Sequence, residues 1–167
     1  VALTVFIAGF SAEAQLKTPQ SSPKTTIVQS VGLTDVEINY SRPSARGRVV
    51  FGNLIPFGKV WRTGANEANE ISLFTDMYLG KTKVPAGIYT LYTIPNENEC
   101  VIIINKDRNV WGAYTYNEKN DVARLTVPVT LADEYLDALS MVFTKADNGT
   151  VLNLGWDKVR LAIPFTK

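Results

Sequence analysis

Three arginines, Arg42, Arg46 and Arg48, fall in a span of seven residues beside Ser41 and Ser44, with Pro43 and Gly47 between them. Pro and Gly here predict a shaped loop, not a continued strand. Guanidinium groups offer planar, paired donors, so the block suits a carboxylate, phosphate or sulfate. The same arginines could instead pair with nearby acids or lie over apolar surface. A second block, Trp61-Arg62-Thr63-Gly64-Ala65-Asn66-Glu67, follows after an apolar bridge. Trp61 could stack on a sugar or other flat ligand, or fill the core beside Val60 and Ile55. Arg62 and Glu67 could form an internal ion pair, and Asn66 could turn the chain locally. Glu67 with Glu70 would be a hydrolase pair if both met one cleft. A spacing of three along an extended chain predicts opposite faces instead. Trp111, with Tyr114 and Tyr116, lies in a long polar connection, Lys106 to Asp121, of the kind that often carries function.

Composition removes several other chemistries. The chain has no histidine, so a Ser-His-Asp or Cys-His site cannot be built within it. Its single cysteine, Cys100, excludes an intrachain disulfide and a cysteine zinc cage. Asp133, Glu134 and Asp137 lack the spacing of a calcium loop and read as a solvated face. No metal and no cofactor are expected. A formal net charge of +1 without a basic run argues against nucleic acid and against a polybasic membrane anchor. An apolar content of 46% in 167 residues is enough for one well-packed domain.

The elements that must hold these residues are mostly strands. Val1 to Phe10 is apolar but shorter than the roughly 20 residues of a membrane span. Ala12 and Ala14 then give a small-x-small pattern, so residues 1–14 read as an export signal with its charged start upstream, cleaved before Gln15. Residues 15–24 read as a flexible lead-in and 25–167 as a single β domain. The mature chain is expected in the periplasm or outside the cell, without a membrane span.

Period-two alternation runs through Thr25–Val31, Val36–Tyr40, Ile88–Ile94, Leu125–Leu131 and Leu139–Phe143. Cys100–Ile104 is apolar on both faces and predicts a central strand covered on both sides. Cys100 then reads as a small buried hydrophobe. Gly80-Lys81 and Asp147-Asn148-Gly149 predict hairpin turns. Pro128 suggests an edge strand. Leu152, Leu154 and Trp156 share one face; Val159, Leu161, Ile163 and Phe165 follow. Only Ala132 to Ala138 reads as a possible short helix. About nine short strands predict an all-β, antiparallel sandwich or jelly-roll.

The two blocks also carry a resemblance. Ser41-Arg42-Pro43-Ser44-Ala45-Arg46-Gly47-Arg48 and Gly58-Lys59-Val60-Trp61-Arg62-Thr63-Gly64-Ala65-Asn66-Glu67-Ala68 resemble the signature of a secreted bacterial family, domain of unknown function 2911. Pro85 to Leu91, Ile104 to Asp107, Trp111 to Ala113 and Trp156-Asp157 resemble its later blocks. The resemblance implies an exported, β-rich domain. It supplies no activity, cofactor or catalytic residue.

Three functions are open on this reading. The first is a binding module in which Arg42, Arg46, Arg48 and Arg62 hold an anionic group while Trp61 or Trp111 stacks on a ring, with Ser44, Asn66 and Glu67 beside them. Its ligand would be an acidic glycan or a carboxylated small molecule. The second is a carboxylate hydrolase using Glu67. The third is a structural or protein-partner role in which the Arg-Trp-Glu set locks a loop.

Overall fold

A computed structural model describes residues 20–32 and 34–167. The expected export signal lies outside the described residues, as do residues 15–19 of the lead-in. Ten strands are described, all paired antiparallel, in two sheets. The larger sheet contains β1 (Lys24–Val31), β2 (Thr34–Ser41), β3 (Asn69–Leu73), β6 (Gly87–Pro95), β7 (Glu99–Asn105) and β8 (Asp121–Pro128), in the order β1-β2-β3-β6-β7-β8. The smaller contains β4 (Met77–Leu79), β5 (Thr82–Val84), β9 (Thr130–Ala146) and β10 (Gly149–Thr166), in the order β5-β4-β10-β9.

The alternation in the sequence becomes the core between the sheets. Val36, Ile38, Ile71, Leu91, Ile102 and Ile104 of the large sheet meet Leu139, Leu154, Trp156 and Ile163 of the small one. β7 lies inside its sheet, and its apolar run is covered on both faces as expected. Cys100, Ile102 and Ile104 enter this core, while Ile103 points the other way into a smaller cluster with Tyr92 and Ala68. Burial pushes the Cys100 thiol up to about 12, which suits a small core residue rather than a nucleophile. β8 is an edge strand, as Pro128 suggested.

Two expectations need correction. Ala132–Ala138 is not a helix; it is part of β9, held by Leu136 opposite Asp157 and Leu131 opposite Val159 across an irregular register with β10. The run Leu125–Leu131 is not one strand. It leaves the large sheet at Pro128 and enters the small one at Thr130, with the Val129 N–H donating to Asn98 between them, so Leu131 is 77% exposed. The ten strands in two antiparallel sheets agree with the all-β sandwich of roughly nine strands expected from the sequence.

β10 runs unbroken past Trp156, yet its inward set steps by three, from Trp156 to Val159. A regular strand cannot do this, because its faces alternate with period two. Asp157 takes φ +56° and the pairing with β9 shifts on either side of it. This bulge bends β10 until its two ends meet, where the Lys167 N–H donates to the Asn148 carbonyl at 3.0 Å.

Candidate functional site on the outer face of the large sheet

Residues 58–69 decide which side chains of the second block face inward. The Gly58 and Trp61 N–H groups donate to Pro95 and Thr93 of β6, and β3 resumes the pairing with Asn69 opposite Leu91. The chain between them leaves the sheet edge opposite Tyr92. Thr63 and Asn66 make the excursion possible with φ values of +59° each. Inside, the Thr63 and Thr93 hydroxyls share a hydrogen bond of 3.1 Å. Asn69 Nδ2 donates to the Thr63 carbonyl at 2.6 Å, and Trp61 Nε1 donates to the Gly64 carbonyl at 3.1 Å.

Gly64 is fixed by this crowding. A Cβ there would lie 2.7 Å from Asn69 Oδ1 and 2.9 Å from the Ser41 carbonyl oxygen. Gly64→Ala is therefore expected to lower stability by about 1–3 kcal/mol in a denaturant melt. An unchanged midpoint would mean that Asn69 swings aside freely.

Trp61 points inward and is 6% exposed. Its ring stacks on Trp156 at 5.8 Å between centroids, and Phe51 meets both rings edge-on. It presents no open face for an external sugar ring. Arg62, the next residue, is half-buried with Tyr114 nearby, and desolvation lowers its pKa. Its Nε is buried without a hydrogen-bond partner, and it has no salt-bridge partner among the described residues. The suggested Arg62–Glu67 ion pair is thus not formed.

The connection after β7 folds back over this face. Val110, Ala113 and Tyr116 pack on Tyr92 and Ile103. Its base is tied by side chains: Asn120 Nδ2 donates to Asp107 Oδ1 at 2.8 Å, and Tyr116 Oη and Arg124 Nε both donate to Asp121 Oδ2 at 2.7 Å. Its tip is tied to the excursion, where the Ala68 N–H donates to Val110 and the Gly112 N–H to Asn66. Trp111 and Tyr114 are left outside, 61% and 85% exposed. Beneath, Tyr92 is fully buried with its hydroxyl unpartnered, and burial, then Asp107 and Asp121, push it up to about 12.

A polar cleft of about 220 Å³ lies on the sheet beside the excursion, lined by Lys24, Asn39, Ser41, Glu67, Glu70 and Asn109 among others. Glu67 and Glu70 therefore border one cleft, contrary to the opposite faces expected from their spacing. Glu67 lies before β3, which begins at Asn69, so strand alternation does not govern the pair. Glu70 Oε1 accepts the Asn109 N–H at 3.0 Å and faces Arg108 at 3.8 Å. Glu67 is exposed, and its backbone bridges to Trp111.

The first block has different neighbours. Arg42 Nε donates to the Leu139 carbonyl at 3.0 Å and its Nη2 to Ser140 Oγ at 2.9 Å. Arg48 donates to the Ala45 and Ser44 carbonyls, each at 2.8 Å. The Arg46 N–H donates to Asp137 Oδ1, while its side chain reaches the Ser21 carbonyl at 3.4 Å. Ser44 bridges to Ala138. The segment is a buckle between the end of β2 and β9. Its backbone touches the second block only where Ser41 meets Gly64, and Arg42 and Arg48 turn to carbonyls rather than toward Arg62.

A family model described as protein of unknown function (DUF2911) matches residues 22–165. The chain is a DUF2911 protein. No curated protein and no solved structure matches it. The matched span takes in both blocks and the connection above them. No helix among the described residues is long and apolar enough to cross a membrane, which leaves strands out of account.

Within this DUF2911 protein, the outer face joins three kinds of group. Arg62 is a cation with donors to spare. Trp111 and Tyr114 are aromatic rings open to solvent. The cleft supplies carboxylate and amide groups that can meet hydroxyls. Tyr114, Asn39, Asn109 and Lys24 were not singled out from the sequence. For Tyr114 the signal was its place in a long loop; for the others the sequence carries none, since each belongs to a different element.

Proposed function

We propose that this DUF2911 domain is a binding module for an acidic sugar, with Arg62 taking the carboxylate or sulfate. Trp111 and Tyr114 flank the ring, and the cleft of Asn39, Glu67, Glu70 and Asn109 receives hydroxyls. The observation that carries the reading is the half-buried Arg62, whose Nε has no partner and which no acid among the described residues neutralises. A desolvated guanidinium held without a counter-charge is costly unless something binds it. Arg42, Arg46 and Arg48 are assigned to the buckle, and Trp61 to the core. Export through residues 1–14 belongs to the same reading, since extracellular glycans are where such a site would act.

Arg62→Met tests it. The variant keeps much of the side-chain volume and removes the charge. Its melting temperature is expected to be unchanged or raised by up to about 3 °C, because no ion pair is lost. Affinity for a glucuronate-containing disaccharide, measured by calorimetry, is expected to fall about tenfold or more. Equal binding by the variant would overturn the reading, as would equal binding of the neutral glucose counterpart by the wild type.

One observation favours a second reading. Glu67 and Glu70 share a cleft, which is the minimum for a carboxylate hydrolase. That reading requires turnover of a glycoside by the wild type that Glu67→Gln abolishes while binding persists.

A further inference from the structure

A second cavity lies away from the outer face. It opens between the two sheets at one end of the sandwich and has a volume of about 290 Å³. Phe51, Phe57, Trp61, Val129, Val159 and Leu161 form most of its wall, with Thr93 and Cys100 beside them. Phe57 is held in place by Gly52, which has φ +85° and where a Cβ would come within 2.9 Å of the Phe57 ring. Asn96 and Glu97, from the turn after β6, also line it.

Concave, mostly apolar sites with a few polar groups are the usual form of small-molecule sites. The volume has room for about ten non-hydrogen atoms, at roughly 30 Å³ each. Glu97 is the one charged side chain among the lining residues; no Lys or Arg joins it. A carboxylate-bearing guest would meet a like charge there, and an ammonium would meet an opposite one.

We propose that this cavity binds an apolar amine of about ten non-hydrogen atoms, with its ring or chain against Phe57, Val129 and Leu161 and its ammonium at Glu97. The site is separate from Arg62 and does not depend on the acidic-sugar reading. It also gives Phe57 a role, since the side chain remains partly exposed despite its size.

The test is a titration of the full chain with 2-phenylethylamine, followed by tryptophan fluorescence and by amide chemical shifts. The expected result is saturable binding with shifts at Thr93, Cys100 and Leu161, and weaker binding by 3-phenylpropionate. Glu97→Gln, an exposed change, is expected to weaken the amine at least about fivefold, as loss of a charge-assisted contact would. Val159→Phe is expected to fill the cavity and abolish binding if it folds; Glu97→Gln decides the matter if it does not. No saturation, equal binding of the acid, shifts confined to Trp111 and Tyr114, or an unchanged Glu97→Gln would each overturn the proposal.

Discussion

Trp156→Ala is expected to lower stability by about 3–5 kcal/mol, the range for truncating a large buried aromatic. Trp156 is 1% exposed and sits where the two sheets and the second block converge. It stacks on Trp61, meets Phe51 edge-on, and donates from Nε1 to the Asp137 carbonyl at 2.9 Å. Truncation removes all three contacts and leaves a cavity beside Trp61. In a domain of this size the melting temperature should fall by roughly 6–20 °C, at about 2–4 °C per kcal/mol. Trp156→Phe separates the terms, because it retains a ring and loses the indole donor. It should cost less, about 1–3 kcal/mol, from the unpaired carbonyl and the smaller ring. Equal losses for the two variants would assign the effect to the hydrogen bond rather than to the aromatic cluster.

Gly149→Ala is expected to cost about 2–4 kcal/mol, from overpacking against backbone and a left-handed φ. Gly149 opens β10 with φ +145°, and a Cβ there would collide with the Phe165 carbonyl oxygen and lie 2.8 Å from Thr166 Cα. Both obstacles are main chain, so no rotamer change relieves them. The two ends of β10 would have to part, breaking the Lys167–Asn148 pairing and the Asn148 Nδ2 bond to the Lys167 carbonyl. Asn148→Ala removes only that side-chain bond and should cost about 1 kcal/mol. Urea melts of the two variants check the order; a loss for Gly149→Ala no greater than for Asn148→Ala would show that the ends of β10 are free to separate.

The fold was legible where periodicity is the physics. Alternation marked Val36, Ile38 and Tyr40 as inward, and the unbroken apolar run marked β7 as covered on both sides. Even the bulge at Asp157 left a trace, in the three-residue step from Trp156 to Val159. Periodicity failed where the strand itself is irregular. Ala132–Ala138 pairs through shifted register, so its side chains do not alternate and its local composition resembles a helix.

The site was less legible, because a sequence displays donors without their acceptors. Arg42 reads as part of an anion cradle, yet its acceptors, Leu139 and Ser140, lie 97 and 98 residues away. The spacing of Glu67 and Glu70 misleads because only Glu70 belongs to a regular strand; Glu67 lies in the excursion before it. Arg62 was named from the sequence, but its lack of an acidic partner among the described residues could appear only once the chain was folded.

The buckle from Arg42 to Arg48 also sets an order of events in time. Its hydrogen-bond acceptors on β9, and the Met141 N–H that donates to Tyr40 Oη, lie about 100 residues further along the chain. All six strands of the large sheet precede β9 and β10 in the chain, so the inner faces of Ile38, Ile71, Leu91, Ile102 and Ile104 await most of their cover. β9 and β10 together take roughly 2–8 s to appear at 5–20 residues per second. During that interval the nascent chain is a half-sandwich with a naked apolar face, the kind of species that aggregates or recruits a chaperone. Long-range closure of this sort is also slow in its own right, since the entropy of closing the loop is lost before the contacts form. The chain is thus committed to late folding by its own topology.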